Sequence, residues 1–474
     1  MRDVTLWPRE WNLGRLVLSV RRAAALVPSI LVAWLTAVPA TAQPTVINDD
    51  GAWCWFQDER AVIYDGKLMV GSVANGPRDA SRRGDIDVTM VDLASGHITR
   101  QELFEQLEND DHDVPALWVR PDGRVLAVFA KHGSESHFYY GTSDVSWTHW
   151  GEVNDFSPSS KSRITYANLL FLSGENNGRG RLYNFYRGLD ASFKPSYVWS
   201  DDLGETWQNG SIVIDVPLAF RHRPYVKYTS NGRDTIHLLY TDGHPRNYDN
   251  SLYHVYYQNG QLHRTDGTPI RPLAEGLREP GEGTQVFQGD ANNVGWASDA
   301  HVSAEGRPYV VFSVQKDGGG LASGDPLAGS DHRYHYAYWD GGAWRDHEIA
   351  FAGTRLYAGE DDYTGNICLH PDRLDTVFIS TDADPVTGQP LISQADQQRH
   401  YELFCGRTSD GGRSWSWEPI TRDSSNDNLR PIVPQWNAEN TVLLWFRGTY
   451  LTYRDYQTEV VMLRLFQPNQ VLKQ

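Results

Sequence analysis

One eight-residue pattern occurs twice in this chain and restricts its fold more than any other feature. Residues 200–207 read Ser-Asp-Asp-Leu-Gly-Glu-Thr-Trp, and residues 408–415 read Thr-Ser-Asp-Gly-Gly-Arg-Ser-Trp. Both copies fit Ser/Thr-x-Asp-x-Gly-x-x-Trp. The Asp carboxylate can accept backbone N–H bonds and close a tight turn, the Gly can take a positive φ, and the Trp ring can pack between neighbouring sheets. Each copy therefore predicts a β-hairpin with a packed Trp.

The pattern is the Asp-box, and two copies 208 positions apart indicate a hairpin unit repeated around a β-propeller. Residues 338–344 form a looser copy that keeps Asp340, Gly341 and Trp344 with one residue fewer. Residues 120–124 and 304–308 are turn clusters that precede apolar runs. An Asp-box folds a hairpin and supplies no chemistry, so its value here is architectural.

Short β-rich runs recur along the chain between clusters of Gly, Asp, Asn and Pro. The clearest are residues 125–129, 182–186, 235–240, 309–314, 376–381 and 441–446. A four-stranded blade takes about 40–50 residues plus loops, and loop-rich blades of about 60 residues would give seven, with six or eight also compatible. There is no break in composition and no amphipathic helix of a dozen residues. We predict an all-β chain folded as a single seven-bladed β-propeller with Asp-box hairpins.

The first 42 residues have the composition of a secretory signal peptide. Five arginines precede an apolar run at residues 23–38, and Ala40-Thr41-Ala42 matches the small-x-small cleavage pattern. Pro28, Pro39 and the shortness of the run argue against an uncleaved anchor. We predict a signal peptide at residues 1–42, cleavage near Ala42, a catalytic propeller domain at residues 43–474, and a secreted or periplasmic protein.

Charge and aromatic content restrict the class of partner. A net charge of −17 makes nucleic acid and anionic membranes poor candidates, whereas a locally basic cleft remains compatible with an acidic substrate. Arginine outnumbers lysine, which favours bidentate recognition of carboxylate or sulfate. The 17 Trp supply rings both for inter-sheet packing and for stacking on sugars. We expect an anionic polysaccharide as partner, no nucleic acid, no membrane, and a monomer.

Three cysteines, Cys54, Cys368 and Cys405, follow the leader. An odd number leaves at least one unpaired, and there is no C-x-x-C metal pair. One disulfide is compatible with this count. Cys368 and His370 are compatible with part of a metal site. We favour the alternative, in which Cys368 is a small buried hydrophobic residue.

Two histidines are placed where they can converge. His112 lies in Asp-Asp-His-Asp at residues 110–113, directly before an apolar strand, and His132 lies in Lys-His-Gly after the next strand. The start and the end of successive strands in a hairpin meet at one rim, and the carboxylates beside His112 raise its basicity. We interpret the pair as functional, against the alternative of two structural histidines.

Other polar residues lie at the ends of apolar segments. Arg187 ends an aromatic strand, where it is equally compatible with an ion-paired core residue and an anion clamp. The remaining candidates are Tyr166, Arg223, Tyr225, His244, Arg246, Arg430 and Arg447. Long loops at residues 318–331 and 382–399 are of the kind that commonly builds sites on one rim of a propeller.

These segments, together with Gly-Ala-Trp-Cys-Trp-Phe-Gln-Asp-Glu-Arg-Ala at residues 51–61, resemble the BNR (Asp-box) repeat family, which includes seven-bladed propeller ulvan lyases. The resemblance runs from about Gly51 to Leu465. It implies a polysaccharide lyase that cleaves a uronic-acid-containing, sulfated, ulvan-like polysaccharide by β-elimination and leaves 4,5-unsaturated uronate ends. No cofactor is required for that chemistry. A structural metal ion, Zn or Ca, is left open, with His244 as the candidate ligand.

The same resemblance implies a His/His/Tyr/Arg site. Its histidines fall on His112 and His132, its tyrosine on Tyr166 and its arginine on Arg187, which we take as the catalytic set. Arginine would neutralise the uronate carboxylate, and the other three would share substrate binding, base and acid roles, with no division among them fixed by the sequence. The predicted substrate-binding residues are Arg223, Tyr225, His244, Arg246 and Arg430.

Three other functions stay open at this point. A glycoside hydrolase of the related α-L-rhamnosidase kind would cleave without forming a double bond. A sialidase would need a Tyr nucleophile with a Glu partner and an Arg-Ile-Pro entry motif, whereas Arg60 lies in Glu-Arg-Ala. A non-catalytic glycan-binding propeller would need no histidine pair, so His112 and His132 count against it.

Overall fold

Seven antiparallel β-sheets, arranged as the blades of a propeller, make up the computed structural model of the chain, which describes residues 43–159, 162–188, 193–215, 223–318, 321 and 325–466. This confirms the predicted all-β, seven-bladed fold. The signal peptide assigned to residues 1–42 lies outside the described residues. That assignment, export and the monomeric state stay predictions.

The blades follow one another along the chain. The first segment is β1 (Thr45–Asn48), and blade 1 contains β2 (Ala61–Tyr64), β3 (Lys67–Val73), β4 (Ile86–Asp92) and β5 (Ile98–Phe104). Blade 2 contains β6 (Ala116–Val119), β7 (Val125–Phe129), β8 (Phe138–Thr142) and β9 (Asn154–Phe156). Blade 3 contains β10 (Leu169–Leu172), β11 (Arg181–Gly188), β12 (Lys194–Ser200) and β13 (Gln208–Ile212).

Blade 4 has six strands, β14 (Val226–Ser230), β15 (Thr235–Thr241), β16 (Leu252–Gln258), β17 (Gln261–Arg264), β18 (Pro269–Pro272) and β19 (Thr284–Phe287). Blade 5 contains β20 (Val294–Val302), β21 (Pro308–Gln315), β22 (His332–Trp339) and β23 (Trp344–Gly353). Blade 6 contains β24 (Ile367–His370), β25 (Arg373–Thr381), β26 (Glu402–Arg407) and β27 (Ser416–Pro419). Blade 7 contains β28 (Asp427–Ile432), β29 (Asn440–Thr452) and β30 (Asp455–Phe466).

The ring is closed by a strand from the other end of the chain. Strand β1 pairs antiparallel with β30, with Thr45 opposite Met462, and so becomes the fourth strand of blade 7. Pairing of the first strand with the last leaves blade 7 as complete as its neighbours and ties both ends of the described propeller into one sheet.

Helical structure in the described residues is limited to single turns. The α-helical turn is α1 (Glu175–Gly178), and 3₁₀ turns occur at Ala80–Arg82, Asp111–Asp113, Pro245–Asn247, Leu273–Glu275 and Pro280–Glu282. In the portion of the chain that the structure describes, no helix has the length and apolar character needed to cross a membrane. The three cysteines are buried and free, and His370 bonds to the hydroxyl of Thr441 at 2.8 Å.

The two Asp-boxes have nearly identical geometry. Asp202 accepts from the Thr206 backbone N–H at 2.9 Å, and Asp410 accepts from the Ser414 N–H at 2.9 Å. Gly204 has φ +89° and Gly412 has φ +90°, values that favour glycine. Both boxes join the third and fourth strands of their blades, as does the looser copy at residues 338–344. The clusters at residues 120–124 and 304–308 instead join first and second strands.

Trp207 shows what an Asp-box contributes to stability. Its ring is 6% exposed and meets Phe138 of blade 2 edge to face, with centroids 5.3 Å apart. We expect Trp207→Ala to lower the free energy of unfolding by about 3–5 kcal/mol, because it leaves a cavity between two blades. Trp339→Ala, at a half-buried tryptophan, is the control. Equal losses in urea denaturation of the two variants would contradict this role for Trp207.

Candidate active site

A cavity of about 210 Å³ opens on one face of the propeller. Its walls come from segments that lead into the innermost strands or that join the second and third strands of a blade. The lining residues are His112, His132, Gly133, Thr165, Arg187, Phe193, Arg223, Tyr225, His244, Arg246, Glu360, Tyr363 and Tyr453. They belong to blades 2, 3, 4, 6 and 7 and their entry segments. None comes from the long loops at residues 318–331 and 382–399, as far as these are described.

His112 and His132 form a stacked pair on one wall. Their ring centroids lie 3.9 Å apart with an interplanar angle of 4°. His112 is held in the 3₁₀ turn before β6, and His132 follows β7. Asp110 binds both rings, with Oδ1 at 2.7 Å from His112 Nδ1 and Oδ2 at 3.0 Å from His132 Nδ1. Because a carboxylate can only accept, each Nδ1 donates, and each ring keeps its Nε2 on the side away from Asp110.

The two imidazoles differ in protonation. Burial opposes charging of His112, but the acidic groups around it, Cys54 and Asp110 foremost, outweigh burial and raise its pKa well above the ordinary value. Burial also disfavours charge on His132, and the positive His112 beside it adds to this effect, which lowers the pKa of His132 to about 4. At neutral pH the pair therefore consists of a cationic His112 and a neutral His132.

Arg187, near the end of β11, also lines the cavity, and it has no acidic partner among the described residues. Backbone bonds of 2.8 Å in both directions with Thr165 fix the end of β11, and the guanidinium carbon lies 4.5 Å from the ring centroid of Tyr166 and 4.1 Å from that of Tyr225. Its Nε and Nη1 are buried and have no hydrogen-bond partner. A buried, unpaired cation beside an open cavity is the arrangement expected of an anion-binding group.

The two tyrosines around Arg187 have different positions. Tyr225 lines the cavity; burial opposes its ionisation, but Arg187 and Arg223 outweigh burial and lower its pKa below the ordinary value. Tyr166 is 4% exposed and is not among the lining residues, and its ring contacts both Arg187 and the His112 ring, whose centroid lies 5.8 Å away; burial raises the pKa of Tyr166. Of the two, Tyr225 is the phenol placed to meet a ligand.

Another wall of the cavity carries two more arginines. Arg223 and Arg246 line the cavity, and Arg246 donates from Nη2 to Oε1 of Glu360. Burial and the neighbouring Arg246 lower the pKa of His244 well below its ordinary value. This wall therefore presents two guanidinium groups and a neutral imidazole, with one of the guanidinium charges offset by Glu360.

The structural metal ion left open by the sequence would need ligands beside His244. The nearby carboxylates are Glu360 and Asp362. The donor atoms of all three residues lie within 4.8 Å of one another, and Glu360 Oε2 and Asp362 Oδ2 are buried without hydrogen-bond partners. However, His244 Nδ1 accepts the backbone N–H of Arg246 at 3.1 Å. The neutral ring therefore carries its proton on Nε2, the nitrogen 3.7 Å from Glu360, and offers no lone pair there. His244, Glu360 and Asp362 therefore do not fit a Zn or Ca site, and no chemical step is assigned to a metal.

Arg430 is a correction to the predicted substrate-binding set. Its side chain is 1% exposed, and its Nη1 donates to Asp111 Oδ2 at 2.6 Å and to the Trp53 carbonyl at 2.6 Å. Its Nη2 lies 3.0 Å from the Tyr450 hydroxyl. The ion pair with the buried Asp111 carboxylate places this arginine in the core. Arg430 is not among the residues that line the cavity.

We expect Arg430→Met to destabilise the fold by about 3–5 kcal/mol, because it removes the guanidinium that pairs with the buried Asp111 carboxylate and leaves His112 as the remaining charged partner of that carboxylate. Urea denaturation measures this loss. The KM of the folded fraction should not change. Unchanged stability with a raised KM would return Arg430 to the substrate-binding set.

Several lining residues were missed by the sequence analysis. Glu360 and Tyr363 lie in an acidic run directly before the inner strand β24. The Asp-Asp-His-Asp run has the same position before β6. This similarity is the sequence signal that could have identified Glu360 and Tyr363. Tyr453 lies between β29 and β30, with its ring nearly perpendicular to both histidines at 85° and 82°. No local pattern marks Tyr453.

Solved structures with this architecture include carbohydrate-active propellers. A polysaccharide lyase described as a PL25 ulvan lyase is 12% identical, with a TM-score of 0.63, and the match covers 89% of this chain and 96% of that chain. The same kind of lyase bound to -[GlcA(1-4)Rha3S]- gives a TM-score of 0.62 at 12% identity and the same coverage. Polysaccharide lyase Uly1 gives 0.53 at 11% identity, over 86% of this chain and 90% of that chain. At these low sequence identities, the structural similarity establishes a shared fold and nothing further.

No curated protein sequence matches the chain. A family model described as "BNR repeat-containing family member" matches residues 80–352, which is more than half of the chain and includes His112, His132, Tyr166 and Arg187. The chain therefore belongs to the BNR repeat-containing family, as the resemblance of its sequence segments implied.

Proposed function

We propose that the protein is a polysaccharide lyase that cleaves a uronic-acid-containing, ulvan-like polysaccharide by β-elimination. The observation that carries the proposal is Arg187, a buried cation with unpaired Nε and Nη1 beside the stacked His112 and His132. A uronate carboxylate is the ligand that this guanidinium lacks, and the C5–H bond next to that carboxylate is the one that elimination breaks.

Arg187 would neutralise the carboxylate. The C5 proton is too weakly acidic to be removed until the negative charge beside it is compensated, because the intermediate places further charge on the carboxylate oxygens. The cationic His112, which also lines the cavity, adds a second positive group. Together they would stabilise the charge that develops as the proton leaves.

His132 is the proposed base, and Tyr225 the proposed acid. His132 is neutral, with its Nε2 bare, and it is the more exposed ring of the pair, at 23% against 5% for His112. It would take the C5 proton as the C4–C5 double bond forms and the C4–O4 bond breaks. The Tyr225 hydroxyl, made more acidic by Arg187 and Arg223, would protonate the departing O4. Tyr166 would help to position Arg187 and the histidine pair through its ring contacts with them.

The second wall supports a sulfated substrate. Arg223 and Arg246 offer guanidinium groups to an anion other than the carboxylate at Arg187. A solved ulvan lyase of the same fold is bound to -[GlcA(1-4)Rha3S]-, which supports a glucuronate next to a sulfated sugar as the substrate of this chain too.

Hydrolysis is less well supported by the residues. A hydrolase that inverts or retains at the anomeric carbon commonly uses a pair of carboxyl groups. Among the lining residues given above, Glu360 alone carries a carboxyl group, and it pairs with Arg246. The cavity therefore favours elimination over an α-L-rhamnosidase-like reaction.

Ultraviolet absorbance tests the proposal directly. The protein without residues 1–42 is incubated with ulvan and with other uronic polysaccharides, with and without sulfate. Growth of the band of the 4,5-unsaturated uronate is the expected result. New reducing ends without that band would replace elimination by hydrolysis, and no cleavage of any of the polymers would remove the enzymatic proposal for this substrate class.

A further inference from the structure

Asp110 is bound on every side at the base of the histidine pair. Its side chain is fully buried, its Oδ1 accepts the His112 backbone N–H at 3.1 Å in addition to the ring Nδ1, and its Oδ2 accepts from His132 Nδ1 and from Arg454 Nε at 2.9 Å. One carboxylate thus links two imidazoles that come from different segments of blade 2.

We propose that Asp110 is a positioning residue that locks both imidazoles with Nδ1–H inward and Nε2 outward, and that it keeps a single extra proton on the pair, held by His112. Its effect on turnover rests on the proposed lyase function, whereas its effect on the two rings does not. Asp110 does not line the cavity, so it acts through the histidines.

The tautomers follow from the donor and acceptor count. The ionised carboxylate of Asp110 has no proton to give, so each Nδ1 that it contacts must carry one. Without this contact, a neutral imidazole could place its proton on either nitrogen. His132 with a proton on Nε2 could not act as a base toward the cavity, so the orientation and the tautomer are both needed for activity.

The single proton follows from the stacking. Two imidazolium rings with centroids 3.9 Å apart would repel strongly in a buried site, whereas one imidazolium beside one carboxylate is electrically balanced. His112 is the ring that holds the charge, because its Nδ1 also lies 3.0 Å from Asp111 Oδ1. Asp110 is thereby kept ionised, and its own pKa is held far below the ordinary value despite burial.

Other charged or titratable groups also face the pair, and the test must separate them from Asp110. From neighbouring segments they are Cys54, Glu108, Asp111, Asp113, Tyr166, Arg187, His244, Glu360, Tyr453 and Arg454. Among them Glu108 is the useful comparison. It accepts the backbone N–H of His132 at 3.1 Å, whereas the His132 ring Nδ1 bonds to Asp110.

Asp110→Asn separates charge and acceptor capacity from structure. Asn can cap the 3₁₀ turn as Asp does, so the backbone should be retained. The amide oxygen can accept from one Nδ1–H, but the amide nitrogen donates and forces the other ring to move its proton to Nε2. The negative charge that holds the proton on His112 is also lost.

The experiment compares the wild type, Asp110→Asn and Glu108→Gln by ¹⁵N NMR of the histidine ring nitrogens and by the pH profile of uronate elimination. For the wild type near pH 7 we expect one doubly protonated ring and one neutral ring protonated at Nδ1. For Asp110→Asn we expect at least one ring protonated at Nε2, loss of the imidazolium at lower pH, and a fall in kcat of about 10²–10⁴-fold. KM should be nearly unchanged, since Arg187 and Arg223 remain.

The alkaline limb of the Asp110→Asn profile should move to lower pH, because removal of a negative charge lowers the pKa of His112. Glu108→Gln should leave tautomers and kcat near the wild type. Wild-type rings with a bare Nδ1, or Asp110→Asn rings identical to the wild type, would overturn the inference. The wild-type spectrum serves as a test even if the Asn variant does not fold. If no polymer is cleaved, the lyase proposal fails while the NMR result still decides the role of Asp110.

Discussion

Replacing Arg187 with Ala should lower kcat/KM for uronate elimination by at least about 10²–10³-fold, the loss typical of removing one group that stabilises developing charge. The guanidinium is buried, its Nε and Nη1 have no hydrogen-bond partner, and it has no acidic partner among the described residues, so its charge is available to the substrate in a site with little competing solvent. Arg187→Lys should recover little activity, because a single ammonium group cannot reproduce the bidentate geometry of a guanidinium.

Arg181 provides the matched control, since it begins the same strand that Arg187 nearly ends. Its guanidinium carbon lies 3.9 Å from the Trp199 ring centroid, and its Nε pairs with Asp201 at 2.8 Å, away from the cavity. Arg181→Lys should retain elimination activity. Steady-state kinetics from the ultraviolet band measures both variants, with circular dichroism to check folding. An Arg187→Ala enzyme with wild-type kcat/KM would remove the carboxylate-neutralising role and the main support for the lyase proposal.

The fold was predictable because its signals are local. An Asp-box contains its own turn acceptor, its positive-φ glycine and its packing residue within eight positions, so residues 200–207 and 408–415 specify hairpins without information from elsewhere in the chain. Alternation of apolar runs with turn clusters likewise located strands such as β7 (Val125–Phe129). The histidine pair was predictable for the same reason, since one hairpin brings His112 and His132 to one rim.

The arginines were harder to separate because their roles depend on distant partners. Arg187 and Arg430 both lie at the edges of apolar strands and are both buried. Arg430 meets Asp111, which is 319 positions away in the sequence, and becomes part of the core. Arg187 has no such partner among the described residues and stays available. No local pattern distinguishes these outcomes, because pairing across the ring is decided by which blades become neighbours.

The tyrosines show the same limit. Tyr166 and Tyr225 both precede inner strands and both pack on Arg187, but Tyr225 alone of the two lines the cavity. Tyr166 has φ +68°, a left-handed backbone conformation that no sequence pattern indicated, and its ring contacts both the guanidinium and the histidine pair. The proposed role of Tyr225 as the acid therefore rests on its place in the folded cavity and not on a local sequence pattern.

Replacing His132 with Ala should reduce elimination by about 10²–10⁴-fold, the usual contribution of a positioned general base. The pH dependence of the wild type identifies the base more specifically. His132 must be neutral to accept the C5 proton, and its pKa of about 4 means that it becomes protonated only in acid. We therefore expect kcat/KM to stay level as the pH falls through 6.5 and to decline near pH 4, whereas an ordinary histidine would lose activity about two units earlier.

The control for His132 is a histidine in the same segment of blade 2. His137 pairs with Glu135 at 3.2 Å and does not line the cavity, so His137→Asn should keep both the rate and the acid limb. At high pH, loss of the proton on His112 should lower activity only well above the ordinary histidine range, since its pKa is raised. An acid limb near pH 6.5 in the wild type that persists in His132→Ala would assign the base to another group, and His112 would then be the residue to replace next.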